Sequence, residues 1–140
     1  MSEAHEEVLS TASALVDAFG RHDTTAYFAH FSAEASFIFY TVPEPLTSRS
    51  AYEQLWESWE RVDGFRVRSC SSLEQSVRVL GGTAVFHHRV LTEVETHNGS
   101  ESLDERETIV FGQLDSGRWQ AVHEHLSPSA LSDLPSSASQ

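Results

Sequence analysis

The chain has 140 residues, the size of one domain, and its 39% hydrophobic content suffices for a single core. Lys plus Arg number 9 against 21 Asp plus Glu, a net charge of −12, so the surface opposes nucleic acid and anionic lipid, which are bound through basic patches. All nine basic residues are arginine, and the absence of lysine excludes Schiff-base chemistry and a phosphate-binding P-loop. Cys70 is the only cysteine, so no intrachain disulfide is expected and a reducing cytoplasm is the simplest setting. The opening MSEAHEEVLS has no apolar signal core, and no apolar run is long enough to span a bilayer, so neither secretion nor membrane insertion is expected.

Val8, Ala12, Leu15, Val16 and Phe19 recur at helical spacing and predict a helix from Glu3 to Gly20, with Gly20 as its stop. Asp23 caps a short second helix through Phe31, with Tyr27, Phe28 and Phe31 facing inward. Ala35 to Val42 reads as a strand, closed by the loop carrying Pro43 and Pro45. Ser50-x-x-Glu53 has the pattern of a capping box, and a third helix runs from it to about Arg61 with Tyr52, Leu55, Trp56 and Trp59 on one face. Four strands follow, at Phe65 to Leu80, Ala84 to Glu95, Ser102 to Leu114 and Trp119 to Leu126. Gly81-Gly82, Asn98-Gly99 and Ser116-Gly117 mark tight turns between them, and such short connections require antiparallel neighbours. Alternation fails around Ser69 to Ser72, which predicts a bulge. The domain is expected over residues 1–127, and the Ser-rich stretch 128–140 reads as a mobile tail. These elements predict an α+β fold, with three N-terminal helices packed across the concave face of a curved, cone-shaped antiparallel sheet and a cavity between the layers.

The ordered set LVDAFGRHDTTAYFAHFSAEASFIF, SRSAYEQLWESW, GGTAVF, RETIVF and SGRWQAVHEHLS resembles the SnoaL-like branch of the nuclear-transport-factor-2-like superfamily over Leu15 to Ser127. The resemblance implies a cone-shaped fold, frequent homodimers formed through the sheet, and a pocket put to many uses. Ketosteroid isomerases of this superfamily carry a general-base Asp near the end of the first strand. Here that region is Phe37-Ile38-Phe39-Tyr40, and Ala12 stands near the position of their helix-borne tyrosine, so steroid isomerisation is disfavoured. The association domain of calmodulin-dependent kinase resembles the last hairpin and lines its pocket with arginines. The matching positions here are Val90, Ile109 and Leu126, so a pocket for anions is not implied. That match also implies a register, with Val90, Ile109 and Leu126 facing the cavity. Period-2 alternation adds Phe86, His88, Glu107, Phe111, Val122 and Glu124 to that face and turns His123 and His125 to the other.

Glu124, Glu107 and His88 are therefore the candidates for proton transfer, because a carboxyl group in an apolar cavity resists ionisation and is tuned toward neutral pH. Tyr40, Trp56, Phe86, Val90, Ile109 and Leu126 are the candidates for ligand contact. Two same-face histidines need a third ligand to hold a metal, so no metal site is assigned to His123 and His125, and no organic cofactor is called for. The function expected is uptake of a small, largely apolar organic molecule, with cofactor-free acid–base chemistry of the isomerase, cyclase, dehydratase or hydrolase kind. The alternative is a non-catalytic module for ligand binding or dimerisation.

Overall fold

The computed structural model describes residues 2–129. Helix α1 spans Glu3–Gly20; its Ser2 cap accepts a hydrogen bond from the His5 amide. Val8, Ala12, Leu15 and Val16 are buried beneath it, on the stripe their spacing predicts. The helix ends at Gly20, as its sequence predicts. The chain turns at His22, whose φ of 57° lies in the left-handed region. That conformation is held from both sides of the imidazole: Nδ1 accepts from the Val67 amide at 2.9 Å, and Nε2 lies 2.7 Å from Glu60 Oε2. Gly20 serves a different need, since a Cβ there would stand 3.2 Å from Cys70 of the underlying strand.

Helix α2 covers Thr24–Phe28, capped by Asp23. It ends sooner than expected because Phe31 already opens strand β1, Phe31–Phe39, which begins earlier than the apolar run from Ala35 suggested. Helix α3, Arg49–Ser58, starts at Ser48, whose side chain accepts from the Ala51 amide. The expected cap at Ser50 is thus displaced by two residues. A π-helical turn, Trp59–Asp63, completes α3, and Gly64 with φ 67° then reverses the chain.

Strands β2, Arg66–Leu80, β3, Thr83–Thr96, β4, Gly99–Gln113, and β5, Trp119–Pro128, make a meander. The five-stranded curved sheet has the order β1-β5-β4-β3-β2. All its pairs are antiparallel except β1 with β5, which is parallel. Register shifts in β2 fall between Val67 and Ser69 and between Leu73 and Ser76, on either side of the segment where alternation fails. A further shift between Val110 and Phe111 leaves Val122 without a partner. That extra residue turns Val122 outward, 36% exposed, and puts Ala121 in the core, contrary to simple alternation. The Ser-rich segment expected to be mobile lies, from residue 130 on, outside the described residues.

The helices cover one face of the sheet. Between them lies an aromatic core in which Phe31, Phe37, Tyr52 and Trp56 are at most 3% exposed. Tyr52 packs edge-on against Phe37, with ring centroids 4.6 Å apart. Trp119 anchors the start of β5; it is 3% exposed, and its indole N–H donates to Glu7 at 3.3 Å. Toward the other end of the sheet the two layers separate and leave a cavity.

Candidate functional site

The cavity has a volume of about 520 Å³. Phe19, Tyr27, Tyr52, Trp56 and Trp59 form its helical wall, and β3, β4 and β5 its sheet wall. Tyr40, Trp56, Val90 and Leu126 line it, as do Glu107 and Glu124. Phe86 and Ile109 do not reach it: both are 0% exposed and sit deeper in the core on the same face. His88 is also set back, behind Glu107. The lining includes no arginine and no histidine among the described residues, yet it holds Glu101, Glu105, Glu107 and Glu124.

Strand register explains why these carboxyls meet. On β4, Glu105 and Glu107 are two residues apart and face the same way. Glu107 pairs with Leu126 and Ile109 with Glu124, so Glu107 and Glu124 are diagonal neighbours on one face. Their side chains lie within reach of each other, and two carboxyls so placed form a hydrogen bond only if one of them keeps its proton. Burial pushes Glu124 well above the usual carboxylate range, and the charge on Glu107 pushes it further. Burial also opposes ionisation of Glu107, but hydrogen bonds from Glu124 and His88 outweigh it and hold Glu107 below its ordinary value. The two shifts run in opposite directions, so Glu107 gives up its proton before Glu124 does.

Other groups complete the site. His88 Nε2 lies 2.7 Å from Glu107 Oε1, and the imidazole is buried. The Tyr27 and Tyr52 hydroxyls are 3.0 Å apart, with Tyr27 at a long 3.5 Å from Glu124 Oε1. Burial and the nearby Glu124 raise both phenols well above their usual range, so each remains a hydroxyl. Tyr40 donates to Glu105 at 2.7 Å. Burial still carries Glu105 up to about 6, with the neighbouring carboxylates adding to the effect. Cys70 also lines the cavity; burial pushes its thiol up to about 12, so it is not a nucleophile at neutral pH.

His123 and His125 flank Glu124 on β5 but lie on the other face. His123 Nδ1 is 2.8 Å from Ser36 Oγ on β1, and the two imidazole centroids are 6.4 Å apart. Among the described residues no group of three or more His, Cys, Asp or Glu side chains is arranged to hold a metal ion. Sequence reasoning missed Tyr27, Tyr52 and Glu105 as site residues. The tyrosines read as helix-packing groups, whereas Glu105, two residues from Glu107 on the same strand, is brought to the cavity by the same period-2 rule.

A family model described as the SnoaL-like domain matches residues 8–131. Solved structures share the fold at low identity. A nuclear transport factor 2 superfamily protein from Salmonella enterica serovar Typhimurium superposes with a TM-score of 0.78 at 18% identity, over 94% of each chain. A ketosteroid isomerase-like protein from Erwinia carotovora atroseptica gives 0.77 at 16% identity, over 93% of this chain and 99% of that one. The CaMKII hub of S. rosetta gives 0.73 at 15% identity, over 92% and 99%. A search of curated protein sequences finds no match.

Proposed function

The chain belongs to the SnoaL-like domain family, and from that footing we propose that its cavity binds a small, largely apolar organic molecule and exchanges protons with it through Glu107 and Glu124. The observation that carries this reading is the buried Glu107–Glu124 carboxyl pair on the sheet wall, facing an aromatic wall, with Glu124 pushed up by burial and Glu107 held below its ordinary value. An acid and a base held side by side are what enolisation needs. Glu124 donates its proton to a carbonyl oxygen while Glu107 removes a proton from the adjacent carbon. Isomerisation, dehydration and cyclisation can each begin with that step. The chemistry needs no residue beyond those present, and His88 joins it through Glu107.

The test uses two probes. Nile red, a neutral apolar dye, should bind saturably and quench Trp56 and Trp59, and Leu126→Arg should abolish binding. Neutral ketones of cavity size, screened by NMR in heavy water, should exchange their α-protons faster with the protein than without it. Glu107→Gln should remove that acceleration, a loss of roughly 10²–10⁴-fold if it is the general base. A screen in which the dye binds and no ketone exchanges would leave a binding module, and the catalytic reading would be lost.

A specific observation favours a second reading, assembly. Ile38, Leu73, Leu91 and Val122 are exposed on the sheet, away from the helices. A homodimer of this chain through that face would bury them, and sedimentation of the full chain against an Ile38→Glu, Val122→Glu variant tests it. No helix among the described residues is long and apolar enough to cross a membrane; a cytoplasmic setting, without nucleic-acid or membrane partners, is part of the proposal.

A further inference from the structure

A chain of hydrogen bonds runs across the sheet behind the carboxyl pair, one residue per strand. Ser72 on β2 lies 2.5 Å from His88 Nδ1 on β3, and His88 Nε2 lies 2.7 Å from Glu107 on β4. Glu107 meets Glu124 on β5. The β2 irregularity between Leu73 and Ser76 sets this up. Glu74 there has a φ of 52°, and the bend brings Gln75 back so that its side-chain amide donates to Ser72 Oγ at 2.8 Å.

That last bond gives the chain a direction. With one lone pair of Ser72 Oγ occupied by Gln75, its hydroxyl hydrogen is free to be directed at His88 Nδ1. Were Nδ1 protonated instead, Ser72 would accept twice and its own hydrogen would be left to solvent, since the residue is half-buried on the edge strand. The arrangement in which every polar hydrogen meets a protein acceptor leaves Nδ1 as acceptor and places the ring proton on Nε2, facing Glu107. Phe86, with its ring centroid 4.6 Å from the imidazole, packs against the ring in this orientation. Glu107 then receives two donors, His88 and Glu124, whereas Glu124 has only the long contact from Tyr27.

We propose that Ser72 is a positioning residue: it fixes His88 as the Nε2–H tautomer and thereby makes Glu107, rather than Glu124, the proton acceptor of the cavity. The inference rests on the reading of Glu107 and Glu124 as the proton-exchanging pair and adds a residue that touches neither the cavity nor a ligand. The titratable groups facing the pair are Cys70 on β2, His88 on β3, Glu105 on β4, Tyr27 on α2 and Tyr52 on α3. Of these only His88 donates to Glu107 alone, which is why the asymmetry is assigned to it.

The experiment needs no ligand. NMR of the full chain reads the His88 ring nitrogens and the side-chain carboxyl carbons of Glu107 and Glu124 across a pH titration. In the wild type a His88 ring proton is expected on Nε2 and none on Nδ1, with Glu107 ionising before Glu124. Ser72→Ala should move the ring nitrogens toward a tautomer mixture and shift the Glu107 ionisation upward by about one pH unit, with Ser72→Thr restoring both. His88→Gln, which keeps an N–H donor toward Glu107, should preserve the order of ionisation; His88→Phe should lose it. An Nδ1–H tautomer in the wild type overturns the proposal, and so does Glu124 ionising before Glu107. Unchanged ring and carboxyl signals in a folded Ser72→Ala do the same. The wild-type spectra decide the tautomer even if a variant fails to fold. A ketone screen without exchange, beside the expected titration, would remove the enolisation reading and leave the Ser72 assignment intact; the reverse pattern would remove the Ser72 assignment alone.

Discussion

Glu105→Gln should stabilise the protein, and only above a definite pH. The residue is 5% exposed, and its carboxyl rises from the ordinary 4.5 to about 6 in the folded chain. A carboxyl whose pKa is raised on folding binds its proton more tightly folded than unfolded. Below pH 4.5 both states are protonated and nothing is lost. Between 4.5 and 6 the unfolded chain ionises first, and stability falls as pH rises. The 1.5-unit gap between 4.5 and 6 corresponds to about 2 kcal/mol once both states are ionised. Glutamine keeps an oxygen to accept the Tyr40 hydroxyl and cannot ionise, so it removes this loss and adds at most a constant offset. Urea unfolding of wild type and variant, followed by circular dichroism from about pH 4 to pH 8, isolates the effect as a difference. The variant's advantage should grow across the window and then level off about 2 kcal/mol above its acid-side value. A difference that stays flat with pH would refute the argument, because it would mean that Glu105 titrates alike in both states.

Three other outcomes follow from local geometry. Cys70, its thiol pushed up to about 12, should resist iodoacetamide in the folded chain at neutral pH and react readily once urea unfolds it; fast labelling of the folded protein would contradict the burial argument. Gly64→Ala should lower the melting temperature, because the position has φ 67° and a Cβ there would stand 2.4 Å from the His97 ring. The cost is of order 1–3 kcal/mol, and adding His97→Ala should recover the part due to the clash. Ser48→Ala should cost about 1 kcal/mol and Ser50→Ala close to nothing, since the Ser48 oxygen is the one that receives the Ala51 amide.

How much of this was legible in the sequence depends on how far apart the cooperating residues lie. The stripe Val8, Ala12, Leu15, Val16 is a one-helix property, and α1 has the extent its spacing predicts. The inward direction of Glu124 was also readable, because alternation counted back from Leu126 crosses no irregularity. Val122 was misassigned by the same rule because the bulge before Glu124 depends on how β4 pairs with β5, which periodicity along one strand does not encode. The choice of Ser48 over Ser50 as cap depends on which residue takes the extended backbone: Ser48 has φ −157° and ψ 159°. The Ser72–His88 contact was beyond reach altogether. It joins residues 16 apart across a distorted edge strand, and nothing local distinguishes Ser72 from Ser69, Ser71 or Ser76.

The carboxyls on the sheet wall say something about what can enter. Asp63, Glu101, Glu105, Glu107 and Glu124 line a space with no basic side chain among the described residues, and the reluctance of Glu124 to ionise lowers their combined charge without cancelling it. An anionic ligand would meet that negative charge where the dielectric is low and screening by salt is weak. It would also be repelled on approach by a chain of net charge −12. A neutral molecule meets neither penalty, and its carbonyl or hydroxyl oxygen can accept the Glu124 proton. The same wall holds Glu105 and Glu124, which resist ionisation, where apolar groups would pack without cost. A structural role alone gives no reason to keep them there, since the strands are already paired through their backbones and the aromatic core is complete without them. On the proposed reading, what they add is an acid beside a base, facing a space large enough for a small organic molecule.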